Sequence, residues 1–228
     1  MPGRAHFKAE LDQVQKFSLG TLDCVRNLLD RVIEALEHQD VELAQLVIAD
    51  GAAIAARCVE IHHRVISLLA LQAPVAGDLR LLAALLHIIR YVERMGSQCV
   101  SVASLIPLSG HEPPVRREIL QRVLRMGHCA RAEVVQCRRS FADRNVALAE
   151  DLVNRDRELN RLNREIFRLA IEVGDDEDTR EWAMIMTLVA RAFERVGDNA
   201  VDVGEQTAFL VTGLFREFSD SSAGVATS

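Results

Sequence analysis

The chain has 228 residues, 49% of them apolar but only 4% aromatic, and a formal net charge of −6. Such a core must be built from Leu, Val, Ile and Ala, which favours helices over sandwiches and barrels. The negative balance, with no basic patch interleaved with aromatics, argues against nucleic acid or an anionic membrane as a partner. The first residues lack the apolar stretch of a secretion signal. Charges break every later apolar run short of the roughly 20 residues a membrane span needs, so a cytoplasmic protein without direct membrane insertion is expected. Cys24, Cys58, Cys99, Cys129 and Cys137 are odd in number and not spaced as a zinc clip or C-x-x-C. They read as small apolar residues in a reducing compartment.

Prolines occur only at positions 2, 74, 107, 113 and 114, so helices can run long between them. In chain order, Asp40 caps a helix start, Ala73-Pro74 ends that helix, and "VAGDLR" opens the next. "IPLSGHEPP" (106–114) is the strongest interior linker, and "SFADRN" and "EVGDDED" mark two further turns. The spacing predicts helices over 5–38, 41–72, 76–106, 115–142, 146–173 and 179–217, three on each side of the linker. "ERMGSQCVSV" (93–102) and "ERVGDNAVDV" (194–203) repeat one phrase on the third helix of each half. Asp40-Val41-Glu42-Leu43-Ala44 and Asn145-Val146-Ala147-Leu148-Ala149 open the second helix of each half. The expected fold is all-α: two tandem three-helix bundles, 5–107 and 115–217, related by internal duplication, with a flexible tail over 218–228.

On the last helix, Trp182, Met186, Val189, Phe193, Val196, Ala200, Val203 and Leu210 share a core face. Glu194, Asp198, Asp202 and Glu205 follow helical spacing on nearly the opposite side. An acidic stripe is usually a solvated face. Against that stand Gly197 in mid-helix, which costs on the order of 1 kcal/mol relative to Ala, and carboxylates one turn apart that repel unless a cation neutralises them. Such oxygens suit a hard or borderline cation. On the third helix, Leu81, Leu85, Ile88, Val92, Met95, Cys99 and Val102 form the core face. Leu82, Leu86 and Ile89 add a second apolar strip, expected to meet the other bundle or a second subunit.

"LLALQAPVAGDLR" (68–80), "ERMG", "FERVGDNAVDVGE" (193–205) and "FLVTG" (209–213) together resemble the PhoU family, over roughly residues 7 to 217. The resemblance implies two three-helix bundles and a cytoplasmic regulator of phosphate homeostasis. It implies work with a Pst-type ABC phosphate transporter ATPase and a phosphate-sensing histidine kinase, holding the starvation response off at high phosphate. A homodimer is also expected. Some members carry metal clusters on carboxylate motifs of the second and third helices. By that resemblance Asp156, Glu194 and Asp198 are the expected ligands of a divalent or iron-type metal ion, with Asn160 and Asp202 as further candidates. In the first repeat Glu93 remains, but Ser97, Gly51 and Ala55 stand where acids are expected, so any metal site is expected to be asymmetric.

The alternatives are a metal-storage or metal-dependent enzyme bundle and a non-catalytic scaffold. A catalytic di-metal bundle would carry an E-x-x-H motif on each of two helices, and this chain has a single one, Glu60-Ile61-His62-His63. No P-loop, G-x-S-x-G or H-E-x-x-H motif points to ordinary catalysis. A regulator rather than an enzyme is therefore expected.

Overall fold

A computed structural model describes residues 2–72, 74, 76–110, 116–174 and 176–218. Its described elements are α1 (Pro2–His38), α2 (Val41–Gln72), α3 (Gly77–Leu105), a 3-10 turn (Pro107–Ser109), α4 (Arg117–Asp143), α5 (Val146–Glu150), α6 (Leu152–Ile171) and α7 (Glu177–Thr212). Helices α1 to α3 pack on one another as one bundle, and α4 to α7 as a second. The second half of the expected linker, 111–114, and the expected tail beyond Phe218 lie outside the described residues.

Local chemistry sets the ends. The Asp40 carboxylate accepts from the Leu43 N–H at 2.9 Å, and Asn145 does the same for Leu148 at 3.1 Å. Each satisfies a backbone donor that the first helical turn leaves orphaned. The residues just before them, Gln39 and Arg144, both sit left-handed, at φ 54 and 51. The two halves therefore turn alike between first and second helix.

Two boundaries differ from the sequence expectation. The helix expected over 146–173 is interrupted at Asp151. Gln136 of α4 donates its amide to the Leu148 carbonyl at 2.9 Å and to Asp151 Oδ2 at 3.1 Å. A side chain thus takes the carbonyl that the helical ladder would use at Leu152. The helix expected to reach 217 stops at Thr212, because Gly213 turns left-handed at φ 77 and caps it by donating to the Phe209 carbonyl at 2.7 Å.

The expected core faces are buried: Trp182, Met186, Val189, Phe193, Val196, Ala200, Val203 and Leu210 on α7, and Leu81, Leu85, Ile88, Val92, Met95, Cys99 and Val102 on α3. The bundles join through α3 on α7 and α1 on α4, so one apolar core runs through both. On the second strip of α3, Leu82 and Ile89 are buried and Leu86 is partly buried against that core. The thiols of Cys58 and Cys99 are pushed by burial up to about 12, which keeps them unreactive at neutral pH.

Gly51 is a close-packing point: a Cβ there would fall within the van der Waals radius of Val100 Cγ2. Val100 is β-branched and cannot swing away freely. Gly51→Ala is therefore expected to destabilise the protein by about 1–3 kcal/mol. Urea unfolding of the variant beside wild type checks this, and an unchanged midpoint would contradict the close packing.

Candidate functional site

The acidic site grows out of where α4, α6 and α7 cross. Gly197 lies at that crossing. A Cβ on it would sit 2.7 Å from Glu133 Oε2, 2.9 Å from Asp156 Oδ1 and 3.0 Å from Leu159 Cδ2. The mid-helix glycine thus has a structural reason: it leaves space for two carboxylates from two other helices.

Glu133 is the residue that sequence reasoning missed. It is 1% exposed, and neither carboxylate oxygen has a hydrogen-bond partner among the described residues. Burial, then the charges of Asp156 and Asp198, push its carboxyl up to about 9. A signal was present. On α4, Glu133 falls in step with the buried Ile119, Val123, Met126, Ala130 and Cys137. Aligning Asp40 with Asn145 also sets it on the first repeat's Leu28, which is buried. A carboxylate inside an apolar stripe is the anomaly to look for.

Asp156, Asn160, Asp198 and Asp202 line one cavity of about 240 Å3 beside Phe218. The Asn160 amide donates to Asp156 Oδ2 at 2.6 Å. Asp202 is pushed up to about 6, by burial first and then by Glu205 and Asp198. Burial also raises Asp198, against the lowering effect of Arg191 and Arg195. Glu205 accepts the Phe218 N–H at 2.7 Å, which lays the end of the described chain against the mouth of the cavity.

Glu194, expected as a ligand on the side opposite the core, stands apart from the other acids. It is buried and paired with Arg191 one turn before it, and it does not line the cavity. Glu93 belongs to the other repeat and is exposed, accepting from Ser97 Oγ at 3.3 Å. The counterpart space in that repeat is filled by Val100 against Gly51, with Ile54 3.2 Å from where a Gly96 Cβ would lie.

Among the described residues, no three His, Cys, Asp or Glu side chains converge closely enough to hold a metal ion as they stand. The donor chemistry nevertheless suits a cation. Glu133 and Asp156 meet the same point beside Gly197, Asp198 and Asp202 border the same region, and the inner carboxylate is orphaned. Without a cation, protons must relieve the repulsion.

That requirement fixes a pH dependence for the metal-free protein. Glu133 is charged in the unfolded chain above about 4.5 but keeps its proton in the fold up to about 9. Folding takes up a proton between those values, so stability falls as pH rises through that window, by at most ~1.4 kcal/mol per pH unit. Glu133→Leu, which copies Leu28, is expected to flatten this slope and raise the Tm at pH 8. Calorimetry at pH 6 and 8 in chelator checks both effects, and an unchanged slope would show that Glu133 is not the proton holder.

The PhoU domain family matches residues 21–106 and again 123–207. A Mycobacterium tuberculosis protein named phosphate-specific transport system accessory protein PhoU homolog 1 is 31% identical, over 82% of this chain and 84% of its own. A PhoU homolog of the same accessory class from Clostridium acetobutylicum is 27% identical, over 95% of this chain and 99% of its own. The crystal structure of PhoU from Pseudomonas aeruginosa superposes with a TM-score of 0.82 at 25% identity, covering 91% of this chain and 100% of that one. PhoU from Streptococcus pneumoniae shares the fold, with a TM-score of 0.85 at 22% identity over 92% of this chain and 99% of that one. With each of its two bundles matched in turn, this chain belongs to the PhoU family.

Proposed function

We propose that the protein is a non-catalytic accessory regulator of a phosphate-specific uptake system, holding uptake and the starvation response down when phosphate is plentiful. The observation that carries this reading is the family match to both halves, together with accessory-protein relatives that match over nearly their whole length. In this reading the protein works in the cytoplasm with the transporter's ATPase and a phosphate-sensing histidine kinase, as a homodimer. Among the described residues no helix is long and apolar enough to cross a membrane.

An adaptor must leave surface uncovered for its partners, and two features support that role. Phe167 and Ile171 on α6, and Met184 and Leu188 on α7, are more than half exposed. Large exposed side chains of this kind are a common feature of protein contacts. Arg164 and Arg168 flank Phe167 in the same groove, which gives an acidic partner segment its counter-charge. Deleting the gene is expected to leave phosphate uptake and its genes switched on at high phosphate. Transcript levels and labelled-phosphate uptake in the deletion strain decide it, and continued repression would overturn the reading for this protein.

A second reading adds a metal ion at the second repeat, and the orphaned carboxylate of Glu133 favours it. Glu133 and Asp156 would be inner donors, with Asp198 and Asp202 at the mouth. Glu194 would join by leaving Arg191. A bound divalent or iron-type ion would neutralise the cluster in place of protons. Metal content by plasma mass spectrometry, after anaerobic loading with iron or manganese, is expected to be substantial in wild type and in Glu93→Ala. It is expected to fall several-fold in Glu133→Leu and in Glu194→Ala/Asp198→Ala. An empty wild type, or full occupancy in both second-repeat variants, would rule the metal out.

A further inference from the structure

The first bundle has a site of the opposite sign. Between α1 and α2 lies a cavity of about 350 Å3, bordered by Cys24, Asn27, Arg31, Asp50 and Arg57 on its polar side. Arg31 and Asp50 form an ion pair across the groove, so their charges cancel. Arg57 is left over. It reaches from α2 towards α1, where its guanidinium lies over the Phe17 ring, 4.8 Å from the centroid. Its Nε is fully buried and has no hydrogen-bond partner among the described residues. Among the described residues no carboxylate pairs with it. Glu93 and Arg57 both act on Cys58, in opposite directions, but Glu93 is exposed and accepts a hydrogen bond from Ser97.

Among the described residues two arginines, Arg57 and Arg138, bury an Nε that makes no hydrogen bond. Arg138 is ion-paired with Asp23, whereas Arg57 has no carboxylate partner there. A buried N–H donor without an acceptor costs on the order of 1–3 kcal/mol. Stacking on Phe17 fixes the plane of the guanidinium but satisfies none of its donors. The second repeat shows what the position holds when nothing needs a charge: the residue aligned with Arg57 is Leu162, buried in the core.

We propose that this groove binds a phosphoryl oxyanion, gripped by Arg57. A planar guanidinium with five donors matches phosphate oxygens in pairs. Asn27 stands beside it with its amide oxygen already taken by Arg26, at 2.9 Å, which leaves its NH2 as the donating end. Arg31 borders the same cavity with its charge already met by Asp50, so Arg57 carries the positive charge of the groove. The cavity is larger than one phosphate ion, and Leu28, Ala53 and Ile54 line its apolar side. That side has room for the carbon portion of a phosphomonoester. The shared chemistry is therefore the phosphoryl group, whether free or esterified. The inference does not depend on the regulatory reading or on a metal, because its residues belong to the other bundle.

The test is calorimetric titration of the full-length protein with inorganic phosphate and, separately, with butyl phosphate, acetate serving as the carboxylate control. Wild type is expected to bind at least one of the two phosphoryl probes, with acetate at least tenfold weaker. Preference for butyl phosphate identifies an ester as the ligand, and preference for inorganic phosphate identifies the free ion. Arg57→Leu, which copies Leu162, is expected to weaken binding at least tenfold while the helical circular dichroism is retained. Arg64→Gln, which removes the other guanidinium over Phe17, is expected to leave binding unchanged. Should Arg57→Leu fold poorly, the Arg57 Nε–H resonance of wild type gives the second readout: it is expected to shift on titration while that of Arg64 does not. No binding of either probe, acetate as tight as phosphate, or an unmoved Arg57 resonance would overturn the proposal.

Discussion

The packing of α3 on α7 is the contact on which the rest of the molecule depends. Each of these helices is the third of its bundle, and each must satisfy its own bundle on one side and its counterpart on another. On α3 the result is two apolar strips, one through Leu85 and Ile88 and one through Leu82 and Ile89, all buried. A helix apolar on two sides is stable only when both are covered. Neither bundle therefore presents a finished surface alone, and the core is continuous across the pair. Because α7 is held on one side by α3, its remaining face meets α4 and α6 at a fixed depth. That depth brings Glu133 and Asp156 up to Gly197.

The duplication has diverged by charge. In the second bundle three helices bring acids together around a glycine, and the inner one is raised out of the ordinary carboxylate range. In the first, the equivalent space has closed with Val100, Ile54 and Leu28, and the charged groups that remain have moved outward to Arg31, Asp50 and Arg57. The carboxylates around Gly197 lack a cation beside them, and the groove of the first bundle has a cation without a carboxylate partner among the described residues. This complementary deficit is carried by a handful of side chains on two bundles of the same helical order, and it shows how a repeat can separate two binding tasks while keeping its architecture.

Much of the architecture was legible because apolar spacing and caps are local signals. Asp40 and Asn145 cap as their residue types imply, and the core faces of α3 and α7 follow the helical period residue by residue. What was not legible came from contacts between distant segments. Gln136 breaks the 146–173 helix from outside it, and nothing within 146–173 announces the break. Glu194 was expected on the side of its helix nearly opposite the core, but α7 is surrounded on more sides than a surface helix, so that side is interior at Glu194. Glu133 was overlooked because the search for carboxylates followed the second and third helices of each half, whereas the buried one comes from the first. The family resemblance supplied Asp156, Glu194 and Asp198, and helical spacing supplied Asp202; of these, all but Glu194 line one cavity. It gave no hint of the cationic groove, where the relevant fact is a missing partner rather than a motif.

The two glycines of the repeated phrase, Gly96 and Gly197, have different freedom to drift. At Gly96 an added methyl would meet Ile54 alone, with Cγ2 at 3.2 Å and Cβ at 3.7 Å, a crowding that a shift of a few tenths of an ångström relieves. At Gly197 the same methyl would press on two carboxylates that already repel each other, with Leu159 closing the third side. A gene that starts with two equal copies of the phrase therefore meets unequal mutational barriers in them. The first copy can accept alanine and move on towards an ordinary packing helix. The second is held at glycine for as long as Glu133 and Asp156 both stay, and releasing it requires the loss of an acid first. The order in which such a repeat can lose its polar site is thus written into the steric surroundings of one backbone position.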